Sequence, residues 1–145
     1  MKWITREGAK TDRVACPWLI RHFIDQDAEF LFVGKSQVLE TAKRENGKSF
    51  DSPGADYAHH GNMCTFEVLI EDFKLENPAL KRLAGIVHGA DIDGEIHTCP
   101  ESAGLLAMAK GFYETIPDDQ EKLRLQFPIY DALYAYCRSL TSCGA

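Results

Sequence analysis

From Cys64 to Leu140 the apolar residues return at intervals of three and four, a spacing that confines the second half of the chain to helices. Phe66, Leu69, Ile70 and Phe73 make one stripe. Leu80, Leu83, Ala84 and Val87 make the next, entered through Asn77-Pro78, because a proline at the first helical position gives up an N–H that would be unpaired anyway. A third helix is expected over Glu101 to Tyr113. The segment PDDQEKLRLQF places Asp118 and Asp119 against a helix N-terminal dipole, and Pro128 is expected to open a last helix whose stripe is Ile129, Leu133, Tyr136 or Cys137, and Leu140.

Strand signal is confined to the first third. KWITR, residues 2–6, alternates with β-branched content; AEFLFVG, residues 28–34, is aromatic and aliphatic; KSFDSPG gives a brief strand ended by the Ser52-Pro53-Gly54 turn. Between them lie two helical stretches, KTDRVACPWLIRHFID and SQVLETAKRENG. The expected architecture is α+β: a predominantly helical single domain over residues 1–145, with a small N-terminal β-sheet packed against a helical layer. At 145 residues one core is enough, since a chain of this size buries about 68% of its unfolded surface.

Composition narrows the function classes. The net charge of -6 and pI near 5.3 argue against a phosphate-backbone partner, so no nucleic acid is expected. No apolar run reaches the ~18 residues of a membrane helix, and MKWITREGAK lacks the apolar core of a secretory signal. The five cysteines are odd in number and without CxxC spacing, which reads as free thiols in a cytoplasmic protein; Cys143, beside the terminal Gly-Ala, is expected at the surface. Homo-oligomerisation is compatible with all of this.

HHGNMCTFEVLI and IVHGAD carry the chemistry. On a helix, residues three or four apart share a face, so His60 would lie above Cys64, Cys64 above Glu67, and His88 above Asp91. Two such faces brought together would offer imidazole, thiolate and carboxylate to one divalent transition metal, zinc, iron or manganese. The expected ligands are His60, Cys64, His88 and Asp91, with Glu67 as a further ligand or catalytic base; His59 would face away. The alternative is structural: His60 capping a helix, Cys64 filling core, His88 bonding Asp91 locally.

Two further groups stand in the first helix. Cys16, in DRVACPWLIR, would be a nucleophilic low-pKa thiol if the helix starts at Pro17, and buried filler if it starts at Asp12. Arg6, Arg13 and Arg21 suit an oxyanion, or pair with the abundant carboxylates. The ligand of either site would be a small molecule or oxyanion.

TREGAKTDRVACPWLIRHFIDQDAEFLFV, HHGNMCTFEVLIEDF, IVHGAD, AGLLAMAKGF and PIYDALYAYC, in this order from Lys2 to about Arg138, resemble the chromate resistance family, specifically its ChrB-type C-terminal domain. The resemblance implies association with chromate resistance, as metal-dependent chemistry or as an oxyanion sensor. It also implies that Asp12, Arg13, Cys16, Arg21, His60, Cys64, His88 and Asp91 stand at site positions. DNA binding in such relatives is attributed to a separate N-terminal domain, which is not expected here because the chain starts at KWITR.

Overall fold

The structure is a computed structural model that describes residues 1–142; Cys143 lies outside the described residues. Lys2–Arg6 forms β1, Asp12–Phe23 α1, Glu29–Val33 β2, Val38–Arg44 α2 and Lys48–Ser49 β3. Thr65–Asp72, Pro78–Asp91, Pro100–Thr115 and Asp119–Ser142 then follow as α3, α4, α5 and α6. The α+β reading holds, with a small sheet near the N-terminus and a helical layer after it.

The sheet runs β2-β1-β3 and is parallel throughout, Lys2 lying opposite Glu29 and Arg6 opposite Val33. Parallel neighbours need crossovers, and α1 and α2 supply them. The strands alternate with the two helical stretches in the order expected from the sequence. With a third strand of only two residues, however, the sheet stays a platform instead of growing into a doubly wound fold. Trp3 joins the main core with Phe30 and Phe50, while its neighbour Ile4 packs with Val38 and Ala42 of α2, as the two-residue period of a strand requires. Gly47 lets α2 return close against β1: a Cβ there would sit 2.5 Å from the Lys2 carbonyl oxygen and 2.7 Å from Ile4 Cδ1.

In the helical layer α1 packs on α3 and α6, and α4 packs against α3, α5 and α6. Trp18, Phe66, Leu69, Leu80, Leu83, Ile86 and Tyr130 are the large side chains sealed inside. Two prolines sit within helices. Pro17 follows a full turn that begins at Asp12, so Cys16 is interior to α1 and not at its N-terminus. Pro128 does not open a helix; α6 runs continuously through it, because Leu123, Tyr130 and Cys137, seven apart, keep one buried face on both sides of the ring. Packing on that face outweighs the roughly 3 kcal/mol that an interior proline costs. Among the described residues no helix is long and apolar enough to cross a membrane.

The loop that delivers α1 is pinned from a distance. Asp119, at the start of α6, accepts the Gly8 N–H at 2.9 Å and the Ala9 N–H at 2.8 Å, and the buried Lys122 ammonium donates to it at 3.1 Å. Asp12 therefore enters the interior from a fixed support. At Gly89, α4 and α5 approach so closely that a Cβ would lie 2.9 Å from Ser102 Cβ and closer still to the Ser102 hydroxyl, which donates to the Ile86 carbonyl at 2.8 Å. Gly89→Ala is expected to lower stability by about 1–3 kcal/mol through overpacking, despite alanine's better helix propensity. Urea unfolding of the two proteins measures it; an unchanged midpoint would mean that the helices separate freely.

Candidate functional site

Two helix N-termini, those of α1 and α3, meet at one carboxylate. Asp12 lies in the first turn of α1 and accepts the N–H groups that open α3: Thr65 N–H at 2.8 Å on Oδ2 and Phe66 N–H at 3.2 Å on Oδ1. Donors unpaired by helix geometry, together with the dipole, favour an anion there. The Cys16 thiol, one turn along α1, donates to Oδ1 at 3.3 Å. Asp12 is 2% exposed, so its charge has no water to rely on.

The chain between β3 and α3 adds the rest. Asp51 stands in the left-handed region, φ 49°, which aspartate tolerates better than most residues. Its Oδ1 accepts the Thr65 hydroxyl at 2.8 Å and its Oδ2 the Arg13 guanidinium at 3.3 Å. From the same segment His59 Nε2 reaches inward to 3.3 Å from Asp12 Oδ2, 3.3 Å from Asp51 Oδ1 and 3.2 Å from Asp91 Oδ2, the last supplied by the end of α4. Three carboxylates thus converge on one ring nitrogen. A single N–H points along one line only, and among the described residues Asp91 Oδ2 is buried without a hydrogen-bond partner.

The protonation balance follows. Burial, then repulsion from Asp51, raises Asp12 above the usual carboxylate range. Burial and the negative charges of Asp12 and Asp51 push Asp91 up to about 7. Burial works in the same direction on Asp51, but His59, the Arg13 guanidinium and the Thr65 hydroxyl together hold it below its ordinary value. Hydrogen bonds to Asp12 and Asp51 raise His59 to about 10. The cluster holds its imidazole as a cation because it has more negative charge than donors. Its mouth is a cavity of about 330 Å³ lined by Arg6, Asp51, Ser52, Gly54, Ala58 and His59.

A second cluster lies one turn back along α4. Glu67 Oε1 accepts the Cys64 N–H at 3.0 Å, and His88 Nδ1 stands 2.6 Å away from it, its N–H donating. Cys64 Sγ, a Glu67 oxygen and a His88 nitrogen all lie within 4.8 Å of one another. Burial, then the charge of Asp12, drives the Cys64 thiol well above its ordinary range. For His88, burial opposes protonation, yet the Glu67 carboxylate outweighs it and raises the imidazole.

The expected ligands therefore divide. Cys64, Glu67 and His88 come together; Asp91 joins Asp12 and His59 instead. His60 joins neither group among the described residues: it is exposed, its backbone paired with Met63. The spacing rule failed there because α3 begins only at Thr65, leaving His60 outside any helix. Cys16 is fully buried, and burial and Asp12 raise its thiol well above the ordinary value, the opposite of an activated nucleophile. The three arginines do not form one pocket. Arg13 is occupied by Asp51 and by the Gly8 carbonyl at 3.0 Å, and Arg6 donates to the Asp51 carbonyl at 3.2 Å. Arg21 donates to the Ala28 carbonyl at 2.9 Å and covers the Phe30 and Phe127 rings. His59 and Asp51 were missed; their only sequence signal was a His-rich, turn-rich stretch with no periodicity to place it.

A small parallel sheet carrying a helical layer, with buried carboxylates gathered on an imidazole where two helices begin, defines a class of α+β domain with an internal polar centre. The sequence model described as "ChrB, C-terminal domain" matches residues 3–137, and the chain belongs to that family, associated with chromate resistance. Protein ChrB of Cupriavidus metallidurans is 36% identical over 141 residues, which is 95% of this chain and 41% of the relative. The chain thus spans less than half the length of that curated relative. No solved structure matches it.

Proposed function

We propose that this domain binds one divalent transition metal through Asp12, His59 and Asp91, with Asp51 beside them, and uses it on a small molecule or oxyanion in chromate resistance. The observation that carries this reading is the set of 3.2–3.3 Å separations between His59 Nε2 and three carboxylate oxygens. Ligand atoms held about 2.0–2.2 Å from one ion stand roughly 3.0–3.5 Å apart, a spacing these separations match. One N–H cannot satisfy three acids at once, and Asp91 Oδ2 is the oxygen left without a donor among the described residues. An imidazole with hard oxygen ligands suits manganese or iron better than a thiolate-seeking ion. A cation there supplies Lewis acidity to a ligand entering the 330 Å³ cavity, and Arg6 on the cavity wall offers charge to an anionic one. The oxyanion reading accordingly rests on Arg6, since Arg13 and Arg21 are engaged elsewhere.

Titration of the full chain with Mn²⁺, followed by loss of the free-ion electron paramagnetic resonance signal, tests the proposal. Wild type is expected to take up one equivalent, and His59→Ala and Asp91→Asn to bind at least tenfold more weakly. Uptake that both variants retain unchanged would remove the site.

A further inference from the structure

The geometry points to a second, softer cation site formed by Cys64, Glu67 and His88, distinct from the carboxylate centre and suited to a thiophilic divalent ion such as zinc. Its residues are not explained by packing alone. Cysteine is a weak residue for the position just before a helix, where serine, threonine, aspartate or asparagine satisfies the free N–H groups far better. Here Asp12 takes the Thr65 and Phe66 N–H groups, and Glu67 reaches back to the Cys64 N–H at 3.0 Å. The thiol is fully buried, its sulfur facing the Glu67 backbone N–H in the capping box of α3, beside a carboxylate and an imidazole that this box does not need together.

His88 supplies an independent sign. Nδ1 faces Glu67, while Nε2 lies at an ion-pair separation of 3.6 Å from Glu95 Oε1. A carboxylate on the far nitrogen of an imidazole fixes its orientation and raises its basicity, and metal-ligating histidines almost always have such a partner. Cysteine, histidine and glutamate together make three protein ligands with a fourth position open, the pattern of a catalytic rather than a structural zinc centre. Glu67 borders a groove of about 500 Å³ between α3 and α4, walled by Ile70, Lys74, Leu75, Lys81 and Ala84. Loading the site requires the Cys64 thiol and the His88 Nδ1–H that faces Glu67 each to give a proton to solvent, the imidazole keeping its hydrogen on Nε2. The burial that keeps Cys64 protonated is thus offset by the metal–sulfur bond.

The two centres are neighbours that differ in kind. His88 and Asp91 are three residues apart on α4, about 4.5 Å of helix rise. One set is oxygen-rich and the other carries sulfur, so each should take a different ion from a mixture.

Co²⁺ added to the full chain distinguishes them, because only thiolate ligation gives a strong near-ultraviolet sulfur-to-cobalt charge-transfer band. Wild type is expected to show that band, Cys64→Ser to lose it while still taking up Mn²⁺, and Asp91→Asn to keep it while losing Mn²⁺. His88→Gln, which leaves the buried thiol in place, is expected to weaken the cobalt band's midpoint at least tenfold without moving Mn²⁺ uptake. No thiolate band in wild type, or a band of equal strength in Cys64→Ser, overturns this site and leaves the carboxylate centre standing. Loss of Mn²⁺ binding by wild type with the band intact would do the reverse.

Discussion

Replacing Asp12 with alanine is expected to cost about 3–5 kcal/mol of folding stability, the largest single-residue effect outside the apolar core. The side chain closes the start of α3 through the Thr65 and Phe66 N–H groups and holds the Cys16 thiol, all in a region without solvent. Hydrogen bonds to a charged acceptor contribute about 1.5–3 kcal/mol each, and their loss leaves two buried donors facing an apolar methyl group. An opposing effect must be weighed. Burial and repulsion from Asp51 raise Asp12 above its usual range, so deleting the charge relieves some strain among the acids. That relief is smaller than the loss, because relaxing one repulsion does not re-pair two helix-opening N–H groups. Asp12→Asn separates the contributions: it keeps one carbonyl acceptor and removes the charge, and should lose less than half as much stability as the alanine variant. Guanidinium unfolding of the three proteins measures this. A cost below about 1 kcal/mol for Asp12→Ala would show that α3 is held by Phe66 and Leu69 in the core and not by its cap.

That residue also marks the boundary of what could be read from the chain. The period of Phe66, Leu69, Leu80 and Leu83 located α3 and α4 because burying one face of a helix leaves a regular trace in sequence. The same rule misplaced Pro128, since a proline's local cost is visible in sequence and the seven-residue buried stripe that overrides it depends on what α6 packs against. At the site the rule worked only inside helices. His88 and Glu67 lie on α4 and α3, and the faces that bear them do meet. His59 and Asp51 stand in irregular chain, where no period relates neighbours, and their convergence on Asp12 and Asp91 comes from three separate parts of the fold. The likeness to ChrB had already singled out Asp12 and Asp91, though without saying that they share a centre.

Metal and pH should act on this protein in opposite directions, and the second large effect follows from that opposition. Burial and its acidic neighbours raise Asp91 to about 7, so the stability favouring its neutral form is present below the ordinary value of 3.8 and disappears as pH rises through 7. Hydrogen bonds to Asp12 and Asp51 raise His59 to about 10, so its contribution is complete below 6.5 and is lost as pH climbs through 10. Both signs agree: without metal, Asp91 weakens the fold as pH rises from about 4 to 7 and His59 continues the loss to about 10. A bound cation requires the deprotonated ligands and therefore stabilises most where the metal-free protein is weakest. At free Mn²⁺ one hundred times the dissociation constant the gain is about 2.7 kcal/mol, several degrees in Tm for a domain of this size. The metal-induced rise in Tm is thus expected to be larger at pH 8.5 than at pH 6. Asp91→Asn makes the contrast sharper. Its neutral amide removes the cost of a buried charge, so without metal at pH 8.5 it should melt above wild type, while added Mn²⁺ should no longer raise its Tm. Thermal melts of both proteins at the two pH values, with Mn²⁺ and with a chelator, decide the matter. A variant less stable than wild type at pH 8.5 in chelator would mean that Asp91 is held by favourable partners, and a metal-induced shift of equal size at both pH values would mean that its titration is not linked to binding.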